Sequence, residues 1–197
     1  MNHRTLAGQV ALITGAGSPM GIGHACARAL CEGGATVVVT STTDRIHDRV
    51  ADLVAQRWNA VGLVCDLMQP AAADRLVADA FAVAGRLDIV VNNAGMVAIG
   101  GSPTNAPLDD TTDEMWHEGI ERNLSTCFAV TRAAIRLMRP QQYGRVVNIA
   151  STSGPVQAFE GDVAYHAAKA GMHGLTRAVA LETAGDNITV NAVAPVA

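Results

Sequence analysis

Thr14-Gly15-Ala16-Gly17-Ser18-Pro19-Met20-Gly21-Ile22-Gly23 is the stretch whose reading decides the fold. The aliphatic run Val10–Thr14 feeds into it, and the helical pattern Gly21–Glu32 leaves it at once. Glycines let the backbone turn tightly at a strand end. The helix that follows offers unpaired N–H groups and the positive end of its dipole. Strand, glycine turn and helix N-terminus in that order can cradle a phosphate or pyrophosphate. Without the surrounding βαβ pattern such a turn would be an ordinary loop, so the rest of the chain must supply the context.

Short aliphatic runs alternate with longer helical patterns on either side of it. The runs are Val10–Thr14, Thr36–Thr40, Val61–Cys65, Asp88–Asn92, Arg145–Ile149 and Ile188–Val193. The helical patterns are Gly21–Glu32, Asp44–Arg57, Ala71–Ala84, Asp113–Met138 and Val163–Thr183. Most runs are β-branched without polar alternation, as strands buried on both faces are. Right-handed crossovers then predict an α/β fold with a doubly wound parallel sheet between helical layers. Val97–Thr112, rich in Gly, Pro, Asn and Asp, reads as a surface loop beyond the fourth strand, at the end of the sheet where such folds place ligands.

Composition narrows the class. At 197 residues, 49% hydrophobic and 16% charged, the chain suits one domain with a sizeable core, and no repeat or linker divides it. A net charge of −4 gives no basic footprint for nucleic acid. No apolar run approaches the roughly 20 residues that span a bilayer, and Met1–Gly8 has no apolar signal core. Cys26, Cys31, Cys65 and Cys127 show no CxxC spacing and read as buried free thiols inside helices or strands, which places the protein in the cytoplasm.

The glycine turn resembles the TGxxxGxG motif of the short-chain dehydrogenase/reductase family, with five residues rather than three between Gly15 and Gly21. The resemblance runs from about Leu6 to Pro195. Asp66, followed by Leu67, matches the acidic residue that faces the adenine, and Asn92-Asn93-Ala94-Gly95 matches the NNAG motif that lines the cofactor cleft. The resemblance implies a Rossmann-like, three-layer α/β/α domain over residues 1–197, with Gly15, Gly17, Gly21, Ile22, Gly23, Asp66, Leu67, Asn93, Ala94 and Gly95 against a nicotinamide dinucleotide.

Tyr165 and Lys169 form YxxxK, and a spacing of i, i+4 puts both on one helix face. A free tyrosine, with a pKa near 10, exchanges protons poorly at neutral pH, and a nearby ammonium favours its phenolate. In the family the tyrosine is the acid/base and the lysine also holds the nicotinamide ribose. A partner hydroxyl comes from Asn148-Ile149-Ala150-Ser151-Thr152-Ser153-Gly154. The S-x-x-G pattern selects Ser151, fourteen residues before Tyr165; a spacing of thirteen selects Thr152, and Ser153 ranks third. Asn123, inside a helical pattern, is either a helix-bending polar residue or the family's water-holding relay to Lys169.

The end of strand two, Val39-Thr40-Ser41-Thr42-Thr43-Asp44-Arg45, carries hydroxyls and a basic residue where an acidic one would take the ribose 2′-OH of NAD. Ser41, Thr42 and Arg45 therefore point to NADP(H) over NAD(H). Asp44 can instead be a helix cap and Arg45 a solvated residue. His166 and His173 lack metal-ligand spacing, so no metal is expected. The two longest helical patterns, which family members commonly pair between subunits, suggest a homo-oligomer (dimer or tetramer). Where family members continue Asn-x-x-x-Pro-Gly, this sequence reads Asn191-Ala192-Val193-Ala194-Pro195-Val196-Ala197, so the C-terminal substrate segment and last strand are expected to be absent, with strand six left as a sheet edge. The implied activity is hydride transfer between NADP(H) and a carbonyl or alcohol, similar to that of 3-oxoacyl-acyl-carrier-protein reductases. The alternative is a nucleotide-binding, non-catalytic relative.

Overall fold

The computed structural model describes residues 5–95 and 106–196. Six parallel strands form one sheet in the order β3-β2-β1-β4-β5-β6. They are β1 (Val10–Ile13), β2 (Thr36–Ser41), β3 (Ala60–Val64), β4 (Ile89–Asn92), β5 (Gly144–Ile149) and β6 (Ile188–Val193). The helices are α1 (Ile22–Glu32), α2 (Ile46–Ala55), α3 (Ala72–Ala82), α4 (Asp113–Ile120), α5 (Thr126–Gln141) and α6 (Val163–Glu182). The strand order reverses between β1 and β4, and that switch point puts the turns leaving both strands side by side.

The period of two along each strand divides the core. Val10 and Leu12 of β1 and Val90 of β4 face α3 and α5, against Leu76, Val77, Ala80, Val130, Ala134 and Met138, with Val179 and Ala180 of α6 at the margin. Ala11, Ile13, Ile89 and Val91 face the other way, against Ala27 and Cys31 of α1 and Ile46 and Leu53 of α2. Each fully buried Leu, Ile or Val contributes about 1.5–3 kcal/mol. The central strands are buried on both faces, whereas the edge strand β6 alternates buried Ile188 and Val190 with exposed Thr189 and Asn191.

Several expectations need correction. The helical pattern Asp113–Met138 is two helices joined by a π-helical segment, Glu121–Ser125. Asn123 Nδ2 donates to the Gly119 carbonyl at 3.1 Å and Thr126 Oγ1 to the Arg122 carbonyl at 2.8 Å. Two side chains taking carbonyls one turn back compete with the helix's own hydrogen bonds and widen it. Cys65 lies one residue past β3, and it and Cys26 are only partly buried. Asp44 does not cap α2, whose N-cap is Arg45 with no side-chain hydrogen bond. Of the loop read over Val97–Thr112, the part up to residue 105 lies outside the described residues, and the remainder contains a short 3-10 turn, Leu108–Asp110. No helix among the described residues is long and apolar enough to cross a membrane.

Candidate active site

Thr14 joins the two turns at the switch point. Its Oγ1 accepts the backbone N–H groups of Asn93 (3.0 Å) and Ala94 (2.9 Å), and Asn93 Nδ2 donates back to the carbonyls of Thr14 (3.0 Å) and Gly15 (2.9 Å). The side chain of Asn93 thus holds the two loops together. Gly15 has φ +69°, and a Cβ there would stand 2.8 Å from Ala94 Cα, so only glycine fits. Gly21 is the N-cap of α1 and makes no side-chain cap bond, which leaves the first N–H groups of the helix for a ligand. The lengthened turn bulges into solvent at Met20, which is 94% exposed.

A cavity of about 410 Å³ opens over these turns. Of the residues that the resemblance and the end of strand two set against a dinucleotide, Gly15, Gly21, Ile22, Ser41, Thr42, Arg45, Asp66, Leu67, Asn93, Ala94 and Gly95 line it. Gly17 and Gly23 do not. A Cβ on Gly17 would meet Arg45 Nε and Ser41 Cβ, and one on Gly23 would meet Asn93 Nδ2 and the Gly15 carbonyl, so both glycines serve close packing around the cradle. Asp66 lines the cavity while its carboxylate accepts from Met68 N–H and Gln69 Nε2, each at 3.0 Å. Cys65 and Arg122, which the sequence reading left aside, also face the cavity.

Gly95 links this cavity to the catalytic candidates. A Cβ built on it would lie 2.8 Å from Asn123 Oδ1 and 3.8 Å from Lys169 Nζ. Lys169 is 3% exposed, donates from Nζ to the Ile149 carbonyl at 2.9 Å, and lies 5.6 Å from the centroid of the Tyr165 ring. Burial lowers its pKa to about 8 from the ordinary 10.5. Tyr165 starts α6, with its N–H capped by Asp162 Oδ1 at 3.0 Å. Its ring sits beside Phe159 and His166, whose Nε2 accepts the Phe159 N–H at 3.1 Å.

Among the hydroxyl candidates, Ser151 is buried at the end of β5 and its Oγ accepts the Ser153 N–H at 3.0 Å. Thr152 turns elsewhere, its Oγ1 lying 3.4 Å from the Pro195 carbonyl. His173 Nε2 stands 3.4 Å from the Ser151 carbonyl, a role in loop anchoring rather than metal binding. No cluster of His, Cys, Asp or Glu among the described residues could hold a metal ion.

Behind the site runs a buried polar ladder that the sequence reading missed. Asn92 Nδ2 donates to Thr131 Oγ1 and to Asn148 Oδ1, both at 2.8 Å, and Asn148 Nδ2 donates to Thr176 Oγ1 at 2.9 Å. It ties β4 to α5 and β5 to α6 directly beneath the strand ends. The asparagines at the fourth position of one strand and the fifth of its neighbour were its only sequence signal, and pairing them requires the register Asn92↔Asn148.

A sequence model of the short chain dehydrogenase family matches residues 9–197. The chain belongs to this family. It is 36% identical over 188 residues to the 3-oxoacyl-[acyl-carrier-protein] reductase FabG of Escherichia coli (strain K12), a match covering 95% of this chain and 72% of that protein. It is 38% identical over 191 residues to a 3beta-hydroxysteroid dehydrogenase of Mediterraneibacter gnavus, covering 95% of this chain and 65% of the relative. A solved short chain dehydrogenase from Mycobacterium smegmatis superposes with a TM-score of 0.90 at 35% identity, over 99% of this chain and 79% of that one. This short-chain dehydrogenase is therefore an NAD(P)-dependent oxidoreductase acting on CH–OH or C=O groups. Its uncapped helix start and the cradle that a Gly15 Cβ would fill suit the pyrophosphate of that cofactor.

Proposed function

We propose that this dehydrogenase reduces a 3-oxoacyl thioester with NADP(H), with Tyr165 as acid/base, Lys169 as its electrostatic partner, Ser151 as the hydroxyl that orients the substrate oxygen and Asn123 in a water relay to Lys169. The observation that carries the reading is the buried Lys169 ammonium, fixed by the Ile149 carbonyl and placed beneath the Tyr165 ring. When bound, the nicotinamide supplies or accepts the hydride. Tyr165 Oη gives a proton to the substrate oxygen during reduction and takes it back during oxidation. The Lys169 cation stabilises the phenolate left after that transfer. Ser151 Oγ donates to the substrate oxygen as charge gathers there. Asn123 faces Gly95 from the π segment, where its oxygen can hold a water on the Lys169 side.

NADP(H) is favoured because Arg45, Ser41 and Thr42 line the cavity at the end of β2, and none of the residues that β2 and its turn give to the cavity is acidic. The thioester reading leans on the similarity to the acyl-carrier-protein reductase. The relatives are named as a reductase and dehydrogenases, which does not favour the non-catalytic alternative. We further propose one catalytic domain, a cytoplasmic location and a homo-oligomeric assembly. The deciding experiment offers the protein NADPH with an acetoacetyl thioester or with a cyclic ketone, and follows loss of NADPH fluorescence. Faster turnover of the thioester supports the reading; turnover of the cyclic ketone alone removes the substrate assignment.

A further inference from the structure

A second hollow, of about 420 Å³, adjoins the cofactor cavity and shares Thr42, Arg45, Asp66, Met68 and Arg122 with it. Thr43 and Glu118 complete its lining. Three segments meet here: the turn between β2 and α2 supplies Thr42, Thr43 and Arg45, the turn between β3 and α3 supplies Asp66 and Met68, and the end of α4 with the π segment supplies Glu118 and Arg122. Both arginines have a buried Nε without a hydrogen-bond partner among the described residues. Arg122 is mostly buried and ion-paired through its terminal nitrogen to Glu118 one turn earlier.

Charge decides what this hollow can take. Asp66 and Glu118 bring two negative charges, so Arg45 alone would leave it net negative and hostile to a dianion. Arg122 makes the balance even. Its fork has donors to spare, and a phosphate offers three acceptor oxygens against the two of the half-exposed Glu118 carboxylate. The hydroxyls of Thr42 and Thr43 add neutral donors from the turn after β2. We propose that Arg122 is a second, specificity-determining cation for the 2′-phosphate of NADP(H), exchanging Glu118 for the phosphate when the cofactor binds. This rests on the NADP(H) reading above. The π segment matters to it, because the Asn123 and Thr126 back-bonds set the course of the chain on either side of Arg122.

The test titrates NADPH and NADH, by fluorescence, into the 197-residue protein and its variants. Arg122→Ala should weaken NADPH about ten- to a hundredfold, the scale of a lost charged hydrogen bond, and leave NADH within about twofold. Unchanged NADH binding also shows that the variant is folded. Equal weakening of both cofactors would mean that Arg122 contacts the shared adenosine, which overturns the proposal, as does no change in either. Glu118→Gln should tighten NADPH by up to about fivefold, since a partly exposed ion pair is worth at most about that much. NADPH binding that is unchanged or weaker in this variant counts against the exchange. The parent protein separates the two levels of the argument. A parent that prefers NADH overturns the NADP(H) reading itself, whereas a parent that prefers NADPH with an insensitive Arg122 overturns only this assignment.

Discussion

Lys169 Nζ donates to the Ile149 carbonyl at 2.9 Å, so the last carbonyl of β5 fixes the cation of α6 on which the tyrosine chemistry depends. Because the bond is buried, the ammonium is short of water and gives up its proton near pH 8 rather than 10.5. Two consequences follow from that pKa. In the unfolded chain the lysine keeps its proton to about 10.5, so between about 8 and 10.5 the unfolded state binds more protons and rising pH favours the native state through this group. Activity should move the other way. We expect kcat/KM to fall above a single ionisation near pH 8, and a flat profile from pH 7 to 10 would remove Lys169 from the mechanism.

Tyr165→Phe keeps the ring against Phe159 and His166 and removes only the reacting oxygen. Turnover should drop by about 10²–10⁴-fold, the usual worth of a positioned acid/base, with cofactor affinity nearly unchanged. Activity close to the parent's would refute the tyrosine's role.

Ser151 and Thr152 can be separated by their surroundings. Ser151→Ala should cost about 10²–10³-fold in kcat as the substrate oxygen loses its donor. Thr152→Val loses only a long contact to Pro195 and should stay within a few fold of the parent. The reverse order in a steady-state assay would transfer the assignment to Thr152.

Arg45→Ala should narrow the ratio of NADH to NADPH dissociation constants by weakening NADPH alone. The side chain lies over Gly17 and Ser41 at the end of β2, where a 2′-substituent of the ribose would arrive. A parallel loss for both cofactors in the same titration would mean that Arg45 serves the shared part of the dinucleotide.

Gly15→Ala forces a side chain into the left-handed backbone region and against Ala94 Cα. The strain costs at least about 1–2 kcal/mol of stability. The cradle between the two turns must open, so cofactor binding should be lost before the fold is. Calorimetry of both transitions checks this, and unchanged NADPH affinity would show that the cradle tolerates the methyl group.

The sequence alone determined the strand and helix order, the switch-point cleft and most of its lining. Those depend on local physics: buried parallel strands need unbroken aliphatic runs, and a turn at a helix N-terminus needs glycine at fixed spacings. The YxxxK pair was legible for the same reason, since a spacing of four always shares a helix face. Tertiary structure alone decided what depends on neighbours distant in the chain. Register between β4 and β5 brings Asn92 to Asn148, and competition between side chain and backbone at Asn123 and Thr126 turns one expected helix into two. Arg122 lies 77 positions after Arg45, and no periodicity links them. They line one hollow because the strands all run parallel, so the turn after β2 and the helices after β4 leave from the same end of the sheet.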